Sequence, residues 1–464
     1  MSAPVRASHI AGDDLHRLLT GQELHFNHYG RPRLPFAFLG GHGIEIEAVD
    51  LSPDRRGTTL RLIDASGGYA SAGLGAGHEV VRQALRRAVM ETGYATDEVV
   101  SHERAALLTR LFGPDGLWSS HFPADEYHVS GRNSGSEGME MALRLVLESR
   151  FDTRTLRYRA GRERRDTILA FEGAWHGWSD GLLPLLNRRH YRVGLPGPSP
   201  LDPYGVRVEH IPFGDSEALE EYVTDHGDRL LAVFVEPIQG DAGVLRPPPG
   251  YLRRLSELCA AQDVLLVADE VLTFAKSGRF FAMHDDEGPV PTDITVIGKY
   301  LGMGALSTSM VIARRRLGVR GSGTVATSDL RPMTCAVIRD GLEFIVRERL
   351  LERSAHLGAH LTKRLTTELV ERFPDVYHQV RGTGVMHGVE LTGAASDRLT
   401  TLREHLIRAG VYVEFMAGAG KRSRGLRYVH PTMRVAPALI TTQDQADEIV
   451  GRLHAGTVAF RAVV

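Results

Sequence analysis

Between about residues 125 and 315, five short apolar runs alternate with stretches of helical periodicity: "TILAFE", "LLAVFVEP", "VLLVADEV", "ITVIG" and "TSMVIA". No other feature of the chain restricts its fold as tightly. Apolar runs of this length without polar alternation are strands covered on both faces, and strands separated by helices pair in parallel. Between the second and third runs, "GYLRRLSELCAAQD" sets Tyr251, Leu252, Leu255, Leu258 and Cys259 on one helical face. The pattern predicts an α/β domain around a mostly parallel central sheet. Upstream, Val80, Val81, Ala84, Leu85 and Ala88 recur at helical spacing, so an amphipathic helix should start near Glu79. The residues before position 60 are loop-rich in character.

Beyond residue 333 the grammar changes. "MTCAVIRDGLEFIVRERL" and "HLGAHLTKRLTTELVERF" read as long helices, whereas "GVMHGVEL", "GVYVEF" and "TMRVAPALI" read as strands. A smaller α+β domain therefore closes the chain. The expected division is an N-terminal segment 1–75, a large domain 76–332 and a small domain 333–464.

Several functions are disfavoured at this level. A net charge of −2 with pI near 6.9 supplies no electrostatic attraction to nucleic acid or anionic membranes. The two cysteines, Cys259 and Cys335, form no metal-ligand spacing and suit a reducing, cytoplasmic setting. "MSAPVRASHIAGDDLHRLL" lacks the apolar core of a signal peptide, and no apolar run is long enough to span a membrane. The 21 histidines make no HExxH or HxH cluster, so no metal is expected. The basic stretch "RFDTRTLRYRAGRERRD" reads as a solvated loop, with docking of a phosphorylated substrate or carrier protein as the sharper alternative.

In a parallel sheet, ligands bind beyond the carboxyl ends of the strands, so the polar residues that stop each run carry the functional question. "VLLVADEV" stops at Asp269 and Glu270, and "ITVIGK" stops at Lys299. "TILAFEGAWHG" runs into a glycine turn bearing Trp175 and His176. "GRNSGSEGMEMALRL" is a small-residue turn opening a helix whose inner face is Met139, Ala142, Leu143 and Val146. Its N–H groups, the helix dipole and the Ser136 hydroxyl suit a phosphate, although capping alone explains many such turns. A buried ammonium at Lys299 must be solvated, paired or covalently occupied. An anion cradle, a flat aromatic, a strand-end carboxylate and a strand-end amine together match the needs of a phosphorylated aromatic aldehyde.

These segments carry a family likeness. "NSGSEGMEMALRL", "FEGAWHGWSDGLL", "VEPIQGDAGVLRPPPGYL", "LLVADEV", "PTDITVIGK", "SGT" at 322–324 and "MRVAPALIT" resemble, in order, the class III pyridoxal-phosphate aminotransferases. This is the fold-type I group that includes ornithine aminotransferase, dialkylglycine decarboxylase and glutamate-1-semialdehyde aminomutase. The resemblance implies a homodimeric enzyme using pyridoxal 5'-phosphate, with Lys299 as Schiff-base lysine and Asp269 paired to the pyridinium nitrogen. It implies Trp175 stacked on the ring and Gly135 and Ser136 at the phosphate. Thr324 would reach the neighbouring subunit's phosphate, and residues 1–75 would help form the dimer. It implies that Arg434 grips a substrate carboxylate and that Asp241 is its internal partner, a gate admitting both amines and glutamate or 2-oxoglutarate. His176 remains open between site and structural support.

Three departures from the group's pattern stand out, the first touching a cofactor contact and the other two substrate choice. Leu272 stands where the group commonly has a glutamine, "VATSDLRPM" follows Thr324, and "YLGMG" follows Lys299 in place of three glycines. "FEGAWHGWSDGLL" and "DEVLTF" are similar to aminomutase segments, so an aminomutase or epimerase stays as the alternative. Arg434 favours an aminotransferase, because it states what the substrate must carry. Specialised biosynthesis would fit the departures.

Overall fold

The computed structural model describes residues 9–26, 33–92, 98–152, 154–187, 205–317, 326–419 and 429–463. All five apolar runs are strands of one seven-stranded sheet. From edge to edge its order is Tyr127–Arg132, Ser309–Arg314, Ile294–Ile297, Leu265–Glu270, Leu230–Val235, Thr167–Phe171 and Arg207–Ile211. Only Ser309–Arg314 runs antiparallel to its neighbours; the others pair in parallel. Two strands, Tyr127–Arg132 and Arg207–Ile211, were not among the apolar runs. Both lie at edges, where one flank needs no apolar cover, and their "YHVSGR" and "RVEHI" are correspondingly mixed.

Side-chain alternation along the central strands divides the core into two layers. Ile168, Ala170, Phe234, Leu265 and Val267 face the helix Gly135–Glu148 with its buried Met139, Ala142, Leu143 and Val146. Leu169, Phe171, Val233, Val235 and Leu266 face the other way, against Tyr251, Leu255 and Cys259 of the helix Tyr251–Ala261. Burial on both faces is why these strands show no polar alternation. The expected amphipathic helix runs Glu79–Arg87.

The ends of the chain differ more from expectation. A helix, Gly12–Leu24, and three strands, Phe36–His42, Glu45–Asp50 and Thr59–Asp64, occupy the region that reads as loop. Glycines in "FAFLGGH" and charges in "EIEAVD" mask the strand period there. The two long helices expected beyond residue 333 are Pro332–Arg347 and Leu350–Leu365, and the helices Leu399–Arg408 and Gln443–Arg461 follow. "GVYVEF" is not one strand: Val411–Tyr412 extends the N-terminal sheet beside Ile63 and Asp64, and Glu414–Met416 joins a second sheet with Tyr377–Thr383, Met386–Leu391 and Thr432–Val435. The two chain ends are thereby stitched together around Val413.

The basic stretch is only partly a solvated loop. Arg150 is buried, Arg162 pairs with Asp263, and Arg165 donates to the carbonyls of Gly227, Leu230 and Gln262. It precedes the strand Thr167–Phe171, on the rim opposite the strands' carboxyl ends. Among the described residues no helix is long and apolar enough to cross a membrane.

Candidate active site

Four strands deliver functional side chains to one rim. Asp269 lies near the end of Leu265–Glu270 and pairs in register with Val296 on the next strand. Lys299 follows that strand by two residues and opens a short 3-10 turn, Lys299–Gly302, with a left-handed φ of +47°. A non-glycine residue in this region is strained, and such strain concentrates at functional sites. Glu236 ends the strand Leu230–Val235, and Trp175 and His176 stand in the turn after Thr167–Phe171.

Asp269 is buried. Its Oδ2 lies 2.9 Å from His176 Nδ1 and its Oδ1 accepts from the Val271 N–H at 3.0 Å. His176 is therefore a support for the carboxylate, and its buried Nε2 has no hydrogen-bond partner. The neighbouring Glu270 points away. It accepts from the Thr273 hydroxyl and from the Ala282 and Met283 N–H groups, and burial raises its pKa to about 7.

Glu236 was not singled out, although the same strand-end rule marks it. Its Oε1 accepts from the Trp175 N–H at 2.8 Å and its Oε2 from the Gly240 N–H at 3.1 Å, tying two site loops together. Burial raises its pKa to about 7, with the Asp269 charge pushing the same way and His176 opposing.

The helix Gly135–Glu148 begins at the rim, capped by Ser134, whose hydroxyl accepts from the Glu137 N–H at 3.2 Å. Gly135 allows close packing: a Cβ there would stand 2.6 Å from Val271 Cγ1. Gly177 has φ +122° and its Cβ would stand 2.7 Å from Ser136 Oγ, so glycine is required where the Trp175 turn meets this helix. Ser136 Oγ accepts from the Trp178 N–H at 3.3 Å, and the Trp175 and Trp178 rings meet edge-on at 4.3 Å.

Lys299 is half-buried by area. Burial first, then the Arg434 charge, push its amine below the ordinary 10.5, while Asp269, Glu414 and Glu236 oppose the shift. The same charges show that Arg434 and Glu414 act on Lys299 from the C-terminal sheet. Here one expectation fails. Arg434 pairs with Glu414, not Asp241. Glu414 and Arg434 sit directly opposite on antiparallel strands, which brings their side chains together. Asp241 instead lies in the Gly240–Gly243 turn, its carbonyl accepting from the Gly418 N–H. Among the described residues, Arg434 Nε and Glu414 Oε1 are buried without hydrogen-bond partners, leaving capacity for a ligand. No sequence signal separated Glu414 from other strand acids; the pairing depends on register. Thr324 lies outside the described residues.

A buried carboxylate backed by an imidazole, an amine with depressed basicity, a helix N-terminus and an aromatic turn converge here. This donor set fits pyridoxal phosphate: an acceptor for a ring N–H, an amine for its aldehyde and N–H groups for its phosphate. The buried Nε2 of His176 and Nε of Arg434, which have no hydrogen-bond partner among the described residues, are further polar atoms at this end of the sheet.

The comparisons agree with this chemistry. A family model described as aminotransferase class-III matches residues 54–456. The mitochondrial ornithine aminotransferase of Oryza sativa subsp. japonica is 28% identical over 398 residues, covering 83% of this chain and 75% of that protein. The acetylornithine aminotransferase of Methanopyrus kandleri is 31% identical over 375 residues, covering 79% and 83%. Among solved structures, the ornithine aminotransferase of Toxoplasma gondii superposes with a TM-score of 0.77 at 25% identity, covering 97% of this chain and 95% of that one. From its fold, its strand-end chemistry and these relatives, the chain belongs to the class-III aminotransferases and is a pyridoxal-phosphate-dependent transaminase.

Proposed function

We propose that Lys299 and Asp269 are the catalytic pair of this transaminase, with Gly135, Ser136 and Trp175 holding the cofactor and Arg434 facing the substrate. The observation that carries this reading is the parallel register of Asp269 with Val296, which delivers the carboxylate and Lys299 to the same rim. Pyridoxal phosphate, when bound, supplies an aldehyde that condenses with amines and a ring that accepts an electron pair.

Each residue has a physical task. Burial and the Arg434 charge lower the basicity of Lys299 Nζ, which favours the neutral form needed for nucleophilic attack and later proton transfer. Asp269, oriented by His176, holds a proton on the ring nitrogen by charge. The N-terminal N–H groups of Gly135–Glu148 and the Ser136 hydroxyl receive the phosphate. Trp175, fixed through its N–H by Glu236, covers the ring. Arg434 takes a substrate carboxylate when Glu414 yields, so Glu414 replaces Asp241 in the proposed gate; Asp241 keeps a place in the substrate-side turn. This arrangement favours transamination between an amine or amino acid and an oxo acid or aldehyde.

We further propose a homodimer in which Thr324 reaches the neighbouring subunit's cofactor phosphate. Exposed Val89, Met90, Val99 and Val100, which flank residues 93–97 in the chain, support a covered face. A reducing compartment such as the cytoplasm is consistent with two buried free cysteines.

Borohydride reduction of the cofactor-loaded enzyme, followed by peptide mapping, tests the central reading. The cofactor should be fixed on Lys299. A label on another lysine, or none after loading, overturns it. Turnover that needs no oxo-acid or aldehyde acceptor would favour an aminomutase instead.

A further inference from the structure

The sheet that carries Arg434 holds a second arginine on the same face. Its strands Tyr377–Thr383, Met386–Leu391, Thr432–Val435 and Glu414–Met416 lie side by side in that order. Their register sets Arg381, Gly388, Arg434 and Glu414 opposite one another, in one row across the sheet. Residues opposed in this way share a face. The next row along that face contains Glu390 and Thr432. Each arginine therefore has an acid beside it, but the two guanidinium groups are used differently. Glu414 pairs with Arg434, whose Nε has no hydrogen-bond partner among the described residues. Arg381 engages all three nitrogens. Nη1 donates to Oε2 of the fully buried Glu390 at 2.6 Å, Nη2 to the Thr432 hydroxyl at 3.4 Å and Nε to the Gly243 carbonyl at 2.9 Å. Glu390 is fixed in turn, accepting from Gln379 Nε2 and from the His430 N–H, each at 3.1 Å.

The Gly243 carbonyl is not part of this sheet. It ends the Gly240–Gly243 turn that carries Asp241, and the Gly240 N–H at the other end donates to Glu236. Two glycines let the turn come down onto the sheet. A Cβ on Gly388, which separates the two arginines in their row, would stand 2.9 Å from the Gly243 carbonyl oxygen. Gly243 itself has φ +109°, and a Cβ there would stand 2.7 Å from Thr432 Oγ1 and 2.9 Å from Arg381 Nη2. The turn thus lies against the Arg434 face, tied at one end by Arg381 and at the other by Glu236.

We propose that Arg381 is a positioning residue for substrate carboxylates. By holding the Gly243 carbonyl over Gly388, it seats the Asp241 turn beside Arg434 and fixes the wall against which a carboxylate meets that guanidinium. A guanidinium whose hydrogen bonds go to three separate segments suits the task of support, as Arg434 suits binding. The inference rests on Arg434 facing the substrate, as proposed above, and adds the residue that keeps that face in shape.

The test uses the cofactor-loaded enzyme, with the L-glutamate half-reaction followed through the cofactor's absorbance and cofactor release measured alongside. Arg381→Met is combined with Glu390→Gln, so that no buried carboxylate loses its counter-charge. KM for glutamate should rise about 10-fold, the low end of what one charge-assisted hydrogen bond is worth, while kcat and cofactor release stay at the parental values. Arg381→Lys keeps a cation for Glu390 and a donor for the Gly243 carbonyl, and should recover most of the loss. Gly388→Ala leaves Arg381 and Glu390 in place but lifts the turn, so it should raise KM in the same way; it carries the test if the double variant fails to fold. An unchanged KM in Gly388→Ala or in the folded double variant overturns the proposal. So does a loss of kcat and cofactor in step with KM, which a general loosening of the sheet would give. Arg434→Leu separates the two levels. If it abolishes the glutamate half-reaction while the Arg381 and Gly388 variants leave KM fixed, only the Arg381 proposal falls; if it leaves glutamate untouched, the reading of Arg434 falls and this inference with it.

Discussion

The site has two buried polar pairs, and they are built differently. Asp269 stands on the central sheet, with His176 reaching it from the turn after Thr167–Phe171; its strand Leu265–Glu270 is flanked on both sides by parallel strands and covered on both faces. Glu414 and Arg434 stand on the C-terminal sheet, where Glu414 belongs to a three-residue edge strand. The Asp269 strand is locked by a ladder on either flank; in the second pair Arg434 also has a ladder on each side, but Glu414 is held on one side only. Rigid support suits a cofactor that stays, and a weaker support suits a carboxylate that must yield to incoming substrates. The difference suggests that cofactor chemistry and substrate choice are held by separate sheets.

The largest expected effect falls on the rigid side. Asp269→Asn keeps the shape but removes the charge proposed to face the ring nitrogen, so kcat should drop about 10²–10³-fold with the fold intact. Steady-state rates and circular dichroism read the two outcomes. An unchanged kcat would mean that the central sheet does not carry the cofactor's charge partner.

On the other side, Glu414→Ala leaves the Arg434 guanidinium buried without its counter-ion. Removing one member of a buried pair costs about 3–5 kcal/mol. The variant should lose stability to chemical denaturation in the absence of carboxylates and regain part of it with added 2-oxoglutarate, which can replace the missing charge. Equal loss with and without the oxo acid would break the contrast, because Glu414 would then be purely structural.

The same contrast explains what was legible in the sequence. Strand ends of a doubly covered parallel sheet announce themselves: "VLLVADEV" and "ITVIGK" each stop at a residue of the proposed catalytic pair, and the resemblance to known transaminases is carried by those local segments. Glu236 obeys that rule and could have been found by it. Glu414 could not. Its meaning depends on lying opposite Arg434, a register set by the split of "GVYVEF" between two sheets, and Asp241 was the nearer candidate only in sequence. The edge strands escaped notice for a related reason: an edge needs less apolar cover, so its sequence carries less of the strand's period.

The smallest effect concerns the joint within the rigid half. Glu236 has its pKa raised by burial to about 7 from an ordinary 4.5. Between those values the folded state binds more protons than the unfolded one, so this residue makes stability fall as pH rises from about 4.5 to 7. The full change is on the order of 3 kcal/mol, since each unit is worth about 1.4 kcal/mol, and it is complete above pH 7. Glu236→Gln keeps an acceptor for the Trp175 or Gly240 N–H but cannot titrate. Denaturant midpoints measured from pH 5 to 8 should therefore decline less steeply than in the parent, with Glu270 supplying the residual slope. A parallel decline in both proteins would show that Glu236 is already ionised through this range. The Trp175 turn would then be held by a permanent carboxylate, and the rigid half would have no joint that opens with pH.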